Sequence, residues 1–286
     1  MPQQTAQQFV EDQRQDWNRV ASGWEKWDRF FDEQMAFLNH RLVADARLRA
    51  GLRVLDLGSG TGYPALLAAQ TVGSSAAVVG IDLAEQMLEA ARRKADSLGL
   101  FNITFRTGDV TTLPFEAASF DAVTSRFCLM FLPEIQKAAA EIARTLKPGG
   151  WLSAAVWSVP DKNAYLMIPI TVIKQFLDLP PPDSSAPGIF RLAKPGDLAG
   201  MLQEAGFVSI AEEEFLAEVR FSSGGEYYES LMDIAAPIQN LFAKLSDQQK
   251  TDARDRILSS ADLYRRADGI ALPIAVRTIA ARKPVE

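Results

Sequence analysis

The chain reads as an α/β protein built on a mostly parallel sheet, on three observations. Between residues 50 and 157, short apolar runs alternate with helical patterns. A glycine-rich turn, GSGTG at 58–62, joins the first apolar run to the first helix of this region. Acids stand at or just beyond the ends of three apolar runs: Asp56, Asp82 and Asp109. Continuous apolar runs suit strands buried on both faces, and helical crossovers between them place helices over both faces of the sheet.

Residues 5–49 have a helical period and no strand signal. Phe9, Val10, Trp17, Val20, Trp24, Trp27, Phe31, Met35, Leu38 and Leu42 recur mostly three, four or seven apart. Gly23 predicts a bend within this run. Residues 52–57 (LRVLDL) form a short buried strand, and 64–71 a helix with Pro64 in its first turn. A second strand is expected over 76–81. The amphipathic helix 84–98 that follows is closed by Gly99 at its C′ position. Strands three, four and five fall at 103–107, 120–125 and 151–156, with a helix over 135–146 before the fifth. Beyond them, 163–178 is helical, and 179–189 holds four of the fifteen prolines and reads as a loop. A helix over 195–205 stops at Gly206, and a strand from 207 to 215 runs on toward Phe221. Helical patterns fill 225–266, and 272–280 (LPIAVRTIA) closes as a strand.

Composition narrows the chemistry. Thirty basic against 36 acidic residues leave a net charge of −6, poor material for gripping nucleic-acid phosphates. One Cys (Cys128) and one His (His40) exclude a disulfide within the chain and any zinc site made of several such ligands. No metal is expected. The N-terminal residues are polar and acidic, without the features of a secretory signal. The longest apolar stretch, 165–173, contains Pro169 and falls far short of the ~20 residues needed to span a bilayer. A cytoplasmic protein without stable membrane insertion is expected.

Glycines let a backbone turn tightly and approach a ligand, and the following helix N-terminus offers unpaired N–H groups. The ligand should lie outside the carboxyl ends of the strands. The acids decide its kind. Asp56, two residues before the first glycine, suits an ammonium group and repels a pyrophosphate. Asp82, twenty residues after Gly62, can accept from both hydroxyls of a ribose. Asp109 is in reach of an amino-substituted adenine. A ligand with ammonium, ribose and adenine but no phosphate is S-adenosylmethionine.

The series VLDLGSGTG (54–62), VVGIDLAEQML (78–88), TGDVTTLPF (107–115), FDAVTSRFCLMF (120–131) and LKPGG (146–150) resembles the class I S-adenosylmethionine-dependent methyltransferases. WNRVASGW (17–24), MAFLNHRL (35–42) and SRFCLMFLP (125–133) are similar to segments of the ubiquinone/menaquinone C-methyltransferases within that class. Residues beyond 157 do not follow those compact enzymes and look more like a broader group of small-molecule methyltransferases. The resemblance implies a Rossmann-like, seven-stranded sheet of order 3-2-1-4-5-7-6, with strand seven antiparallel and supplied by 272–280. It also implies a single domain over 1–286: a helical lid (1–49), a donor-binding core (50–157), and insertions (158–206 and 222–268) that cap the acceptor.

By the same resemblance, Asp56 lies near the donor's amino-acid end, and Gly58, Ser59, Gly60 and Gly62 wrap its methionine portion. Asp82 takes the ribose, with Leu83 and Met87 beside the adenosine. Asp109 and Val110 contact the adenine. Ser125, Arg126 and Phe127 stand where sulfonium and acceptor meet. Trp17, Trp24 and Trp27 read either as core or as acceptor-pocket lining. His40 and Arg126 are the candidate catalytic residues, the first a base or a packed or surface helix residue, the second an anion-stabilising cation or an ion-pair partner. Cys128 reads as a small buried hydrophobe.

The implied reaction is in-line methyl transfer to an oxygen or carbon of a small hydrophobic acceptor, such as a quinone, phenol or polyketide-like compound, releasing S-adenosylhomocysteine. Two alternatives stay open: a donor-binding protein without transfer activity, and a nicotinamide-dependent dehydrogenase. No tyrosine is followed by Lys four residues on, so the short-chain dehydrogenase pair is missing. Nucleic-acid partners are not expected, and a homodimer is left open.

Overall fold

The computed structural model describes residues 5–178, 183 and 185–286. Three helices come first: α1 (Ala6–Arg19), α2 (Ala21–Lys26) and α3 (Asp28–Asp45). The breaks fall at Val20 and Trp27, not at Gly23. Gly23 lies inside α2, where a Cβ would stand 2.1 Å from the carbonyl oxygen of Asp233. Glycine there permits close approach of two helices; it does not bend one.

The core then runs β1 (Val54–Leu57), α4 (Ala65–Val72), β2 (Val78–Asp82), α5 (Glu85–Ser97), β3 (Ile103–Thr107), β4 (Phe120–Arg126), α6 (Ile135–Thr145) and β5 (Leu146–Trp157). Only a 3₁₀ turn, Val110–Thr112, links β3 to β4. The remainder comprises α7 (Ala164–Ile173), α8 (Asp197–Glu204), β6 (Val208–Phe221), α9 (Gly224–Ile234), α10 (Ala236–Phe242), α11 (Asp247–Ala261), β7 (Arg265–Arg266) and β8 (Gly269–Arg282). The expected proline loop at 179–189 falls partly outside the described residues.

The sheet order is β3-β2-β1-β4-β5-β8-β6, with β7 pairing beside β8. β8 runs antiparallel to β5 and β6. The expected order therefore holds, with one correction to the count. The expected seventh strand is β8, because the two-residue β7, too short for any periodicity to mark, precedes it.

Every residue of β1 is buried, and its register pairs Val54–Leu57 with Val78–Ile81 on one side and Ala122–Ser125 on the other. Leu55, Leu57, Ile81, Val123 and Leu152 join the apolar cluster on one face; Val54, Val78, Ile103 and Phe105 join α4 and α5 on the other. Each such side chain contributes roughly 1.5–3 kcal/mol by leaving water. Connections leave β1 and β4 in opposite directions, so a crevice opens above the carboxyl ends of this pair. Gly80 in β2 completes the support: a Cβ there would stand 2.5 Å from Ser59 Oγ. The glycine turn packs directly on the second strand.

Candidate active site

The backbone N–H groups of Gly58 and Ser59 donate to the Ile81 carbonyl at 2.8 and 3.0 Å, which ties the turn to β2. Gly58, Gly60 and Gly62 have φ of +68°, +51° and +120°, values that side chains resist. Their surroundings differ. A Cβ on Gly58 would stand 2.4 Å from Cys128 Cβ, and one on Gly62 would stand 2.6 Å from Leu66 Cδ1. Nothing lies within 4 Å of a Cβ on Gly60. Gly60 therefore leaves a cradle where backbone can meet a ligand.

Asp82 ends β2 and lines the same cleft. Its Oδ2 accepts from Gly60 N–H and its Oδ1 from Ala84 N–H, both at 2.9 Å. Each oxygen keeps a further lone pair. Burial raises its pKa, against these backbone hydrogen bonds. Beyond β3, Asp109 caps the 3₁₀ turn by accepting from Thr111 N–H at 2.8 Å. Asp109, Val110, Leu83 and Met87 all line the cleft, with Gly58, Ser59, Gly60 and Thr61 opposite.

Arg126, the last residue of β4, also lines the cleft and donates to Asn39 Oδ1 at 2.8 Å. Burial lowers its pKa, opposed by the charges of Asp56, Asp32 and Asp28. The guanidinium stays charged regardless. Phe127 follows with φ +57° and lies parallel to Trp157, ring centroids 4.2 Å apart.

Much of the remaining lining is apolar: Trp17, Trp24, Phe131, Trp157, Tyr165, Leu166, Ile189, Leu231 and Ile234. From the first insertion the cleft takes Tyr165, Leu166 and Ile189; α8 packs instead on α6, β6 and β8. Sequence reasoning missed Trp157 and Tyr165. Trp157 had a signal, since it ends a parallel strand at the edge where ligands gather. Tyr165 had none, because only the packing of α7 brings it there.

Five expected site residues are not on the cleft wall. Asp56 is wholly buried beneath the turn instead of facing the crevice: Oδ1 accepts from Thr124 at 2.6 Å, and Oδ2 has no partner among the described residues. Gly62 faces Leu66, as above. Ser125 is wholly buried, its hydroxyl donating to the Leu57 carbonyl at 3.1 Å. Trp27 is core, its Nε1 donating to Asp233 at 2.7 Å. His40 is exposed on the outer face of α3 and takes no part in the cleft.

Asp56 carries a pH signature. Burial lifts its carboxyl to about 7, against the hydrogen bond from Thr124. The folded protein thus keeps a proton that the unfolded chain, with a carboxyl near ~3.9, releases. Stability from this group is full below about pH 4 and is lost as the pH rises through about 7. Asp56→Asn is expected to remove a slope of up to about 1.4 kcal/mol per pH unit within that window. Urea denaturation at a series of pH values reads it; an unchanged slope in the variant refutes the assignment.

A glycine turn, acids at two neighbouring strand ends and an adjoining apolar chamber define an α/β enzyme that binds a nucleoside-bearing donor beside a second substrate. The comparisons are specific. Residues 54–150 match the methyltransferase domain family. The demethylmenaquinone methyltransferase of Staphylococcus aureus strain MRSA252 is 37% identical over 139 residues, 47% of this chain and 57% of that protein. The enzyme of the same name from strain JH9 is 31% identical over 207 residues, 68% of this chain and 85% of that protein. Nocamycin O-methyltransferase of Saccharothrix syringae is 31% identical over 184 residues, 61% and 66% of the two chains. The matched region thus spans less than two thirds of the MRSA252 and nocamycin relatives. The solved structure of YcgJ from Bacillus subtilis shares the fold, with a TM-score of 0.59 at 19% identity over 87% of this chain and 99% of that one. The chain belongs to the class I S-adenosylmethionine-dependent methyltransferases, and S-adenosylmethionine is its cofactor. No helix among the described residues is long and apolar enough to cross a membrane.

Proposed function

We propose that this protein methylates an oxygen or carbon of a small, largely hydrophobic acceptor of quinone, phenol or polyketide type. One observation carries the reading: a single cleft joins the polar end at Gly60, Asp82 and Asp109 to the aromatic chamber at Phe127, Trp157 and Tyr165. The names of the relatives, a demethylmenaquinone methyltransferase and a nocamycin O-methyltransferase, support a small cyclic acceptor.

The residues fit the donor. The Gly60 cradle leaves room for its methionine portion, and the two oxygens of Asp82 can each accept a ribose hydroxyl. Asp109 and Val110 flank the adenine, with Leu83 and Met87 against the nucleoside. Arg126 holds the donor's carboxylate, because its guanidinium is the one cation among the described residues that line the cleft. Asp56 acts from below, setting the charge under the turn. When bound, S-adenosylmethionine supplies a methyl group on a sulfonium that is already a good leaving group.

The protein's tasks are alignment and exclusion of water. Side chains between Phe9 and Trp24, with Tyr165, Leu166 and Ile189 of the first insertion and Leu231 to Pro237 of the second, close the cleft over the strand ends. Burial pushes the Cys128 thiol and the Tyr165 phenol well above their ordinary values, so neither serves as a base at neutral pH. Isothermal titration with S-adenosylhomocysteine, followed by turnover of the donor against a mixed panel of quinols, phenols and enols, tests the reading. Absence of binding refutes it. Binding without turnover of any acceptor identifies a donor-binding protein.

A further inference from the structure

Arg277 and Arg126 are both drawn into the protein, and they are held in different ways. Arg277 is 6% exposed and pairs directly with Glu212 and Glu214 at 3.1 and 3.3 Å. Its charge is neutralised where it sits, as that of a buried structural cation must be. Arg126 is half-buried on the cleft wall and has no ion-pair partner among the described residues. Among those residues only one of its N–H groups is used, toward the neutral amide oxygen of Asn39 at 2.8 Å.

Asn39 lies on α3, is 2% exposed, and is itself held. Its Nδ2 donates to Asp32 Oδ1 at 3.3 Å. A guanidinium accepts nothing and a carboxylate donates nothing, so the amide stands with its oxygen toward Arg126 and its nitrogen toward Asp32. Asp32 also accepts from the hydroxyl of Tyr63, which lines the cleft. The start of the same helix is tied down separately. Asp28 accepts from Thr61 of the glycine turn at 3.2 Å and pairs with Lys94 of α5. A carboxylate in place of Asn39 would neutralise the guanidinium, and an apolar side chain would leave it unheld. The buried amide directs it and leaves its charge for a ligand. An arginine held before the ligand arrives has little rotamer freedom left to lose on binding.

We propose that Asn39, oriented by Asp32, is a positioning residue that aims Arg126 at the donor's carboxylate and so sets the preference for a donor whose amino-acid end is whole. The proposal rests on the reading of Arg126 given above. The probes are S-adenosylhomocysteine and 5′-deoxy-5′-(3-aminopropylthio)adenosine, the same molecule without its carboxylate. Both are titrated calorimetrically against wild type, Asn39→Ala, Asp32→Ala, Arg126→Leu and the Asn39→Ala/Arg126→Leu double variant. Wild type should prefer S-adenosylhomocysteine by at least about ten-fold, the range of a charge-assisted hydrogen bond. Asn39→Ala should weaken S-adenosylhomocysteine about five- to ten-fold and leave the carboxyl-free analogue within about two-fold. Asp32→Ala, which frees the amide to turn, should act in the same direction by about two- to five-fold. The double variant should lose no more than Arg126→Leu alone, because Asn39 acts through the arginine. A merely structural role would weaken both probes together and would add to the loss from Arg126→Leu. The proposal is overturned if Asn39→Ala, or Asp32→Ala should the first not fold, leaves S-adenosylhomocysteine binding unchanged or weakens both probes equally. It is overturned also if the losses in the double variant add. The carboxylate reading of Arg126 fails separately, if wild type binds the two probes equally well, and the donor reading fails if wild type binds neither; the proposal falls with either.

Discussion

Asp82→Ala is expected to raise the dissociation constant for S-adenosylhomocysteine by at least about ten-fold. A hydrogen bond to a charged group contributes roughly 1.5–3 kcal/mol, and ten-fold in affinity is about 1.4 kcal/mol. Two effects act together. The variant removes the carboxylate that our reading gives to the ribose, and it strips the N–H groups of Gly60 and Ala84 of the acceptor they share. Asp82→Asn separates these effects. Its amide can keep one backbone N–H through the side-chain oxygen, but it has lost the charge and one acceptor. An intermediate affinity for Asn is expected, with unfolding midpoints compared to show how far the turn itself has loosened. Affinity near wild type in Asp82→Ala would mean that the ribose lies elsewhere.

Gly58→Ala should be the most damaging single methyl in the site. Holding alanine in the left-handed region costs about 1–2 kcal/mol, and overpacking against a tight neighbour adds typically about 1–3 kcal/mol. The neighbour here is Cys128, whose Cβ would lie 2.4 Å from the new one. Urea denaturation should therefore show a loss of roughly 2–5 kcal/mol, with donor binding reduced because the turn is displaced. Gly60→Ala makes the contrast. Its φ of +51° carries the backbone cost alone, since no atom lies within 4 Å of the added methyl. It should lose less stability while still obstructing the cradle. Adding Cys128→Gly to Gly58→Ala should recover part of the stability. If the two variants are equally stable and the double variant recovers nothing, packing from behind is not what Gly58 provides.

The fold was legible because its signals are local. A parallel strand buried on both faces must be an apolar run, a glycine must follow where the chain reverses, and a helix end is marked by residues such as Gly99 (φ +66°). The polar end of the cleft inherits that legibility. Gly58, Gly60, Asp82, Asp109 and Val110 each belong to a strand-turn unit, so their positions above the sheet follow from the sheet itself. His40 is a different kind of miss. The apolar stripe Phe31, Met35, Leu38 and Leu42 turns inward, and at ~100° per residue it puts position 40 on the far side of the helix from Leu38. The neighbouring Asn39 is the buried one, and it holds Arg126.

What the sequence determined by itself is which residues form the polar end of the cleft, with the order of the strands implied by resemblance. What only the tertiary structure decided is which side chains share the apolar chamber. Trp24, Trp157, Tyr165 and Ile234 come from α2, β5, α7 and α9, far apart along the chain. Periodicity can say that such residues are buried, but not against what, since burial removes apolar surface from water without regard to the partner. The same limit hid the turn's support. Nothing local marks that Cys128 fills the space behind Gly58, or that Asp56, an acid at a strand end like Asp82, ends beneath the turn while Asp82 lines the cleft.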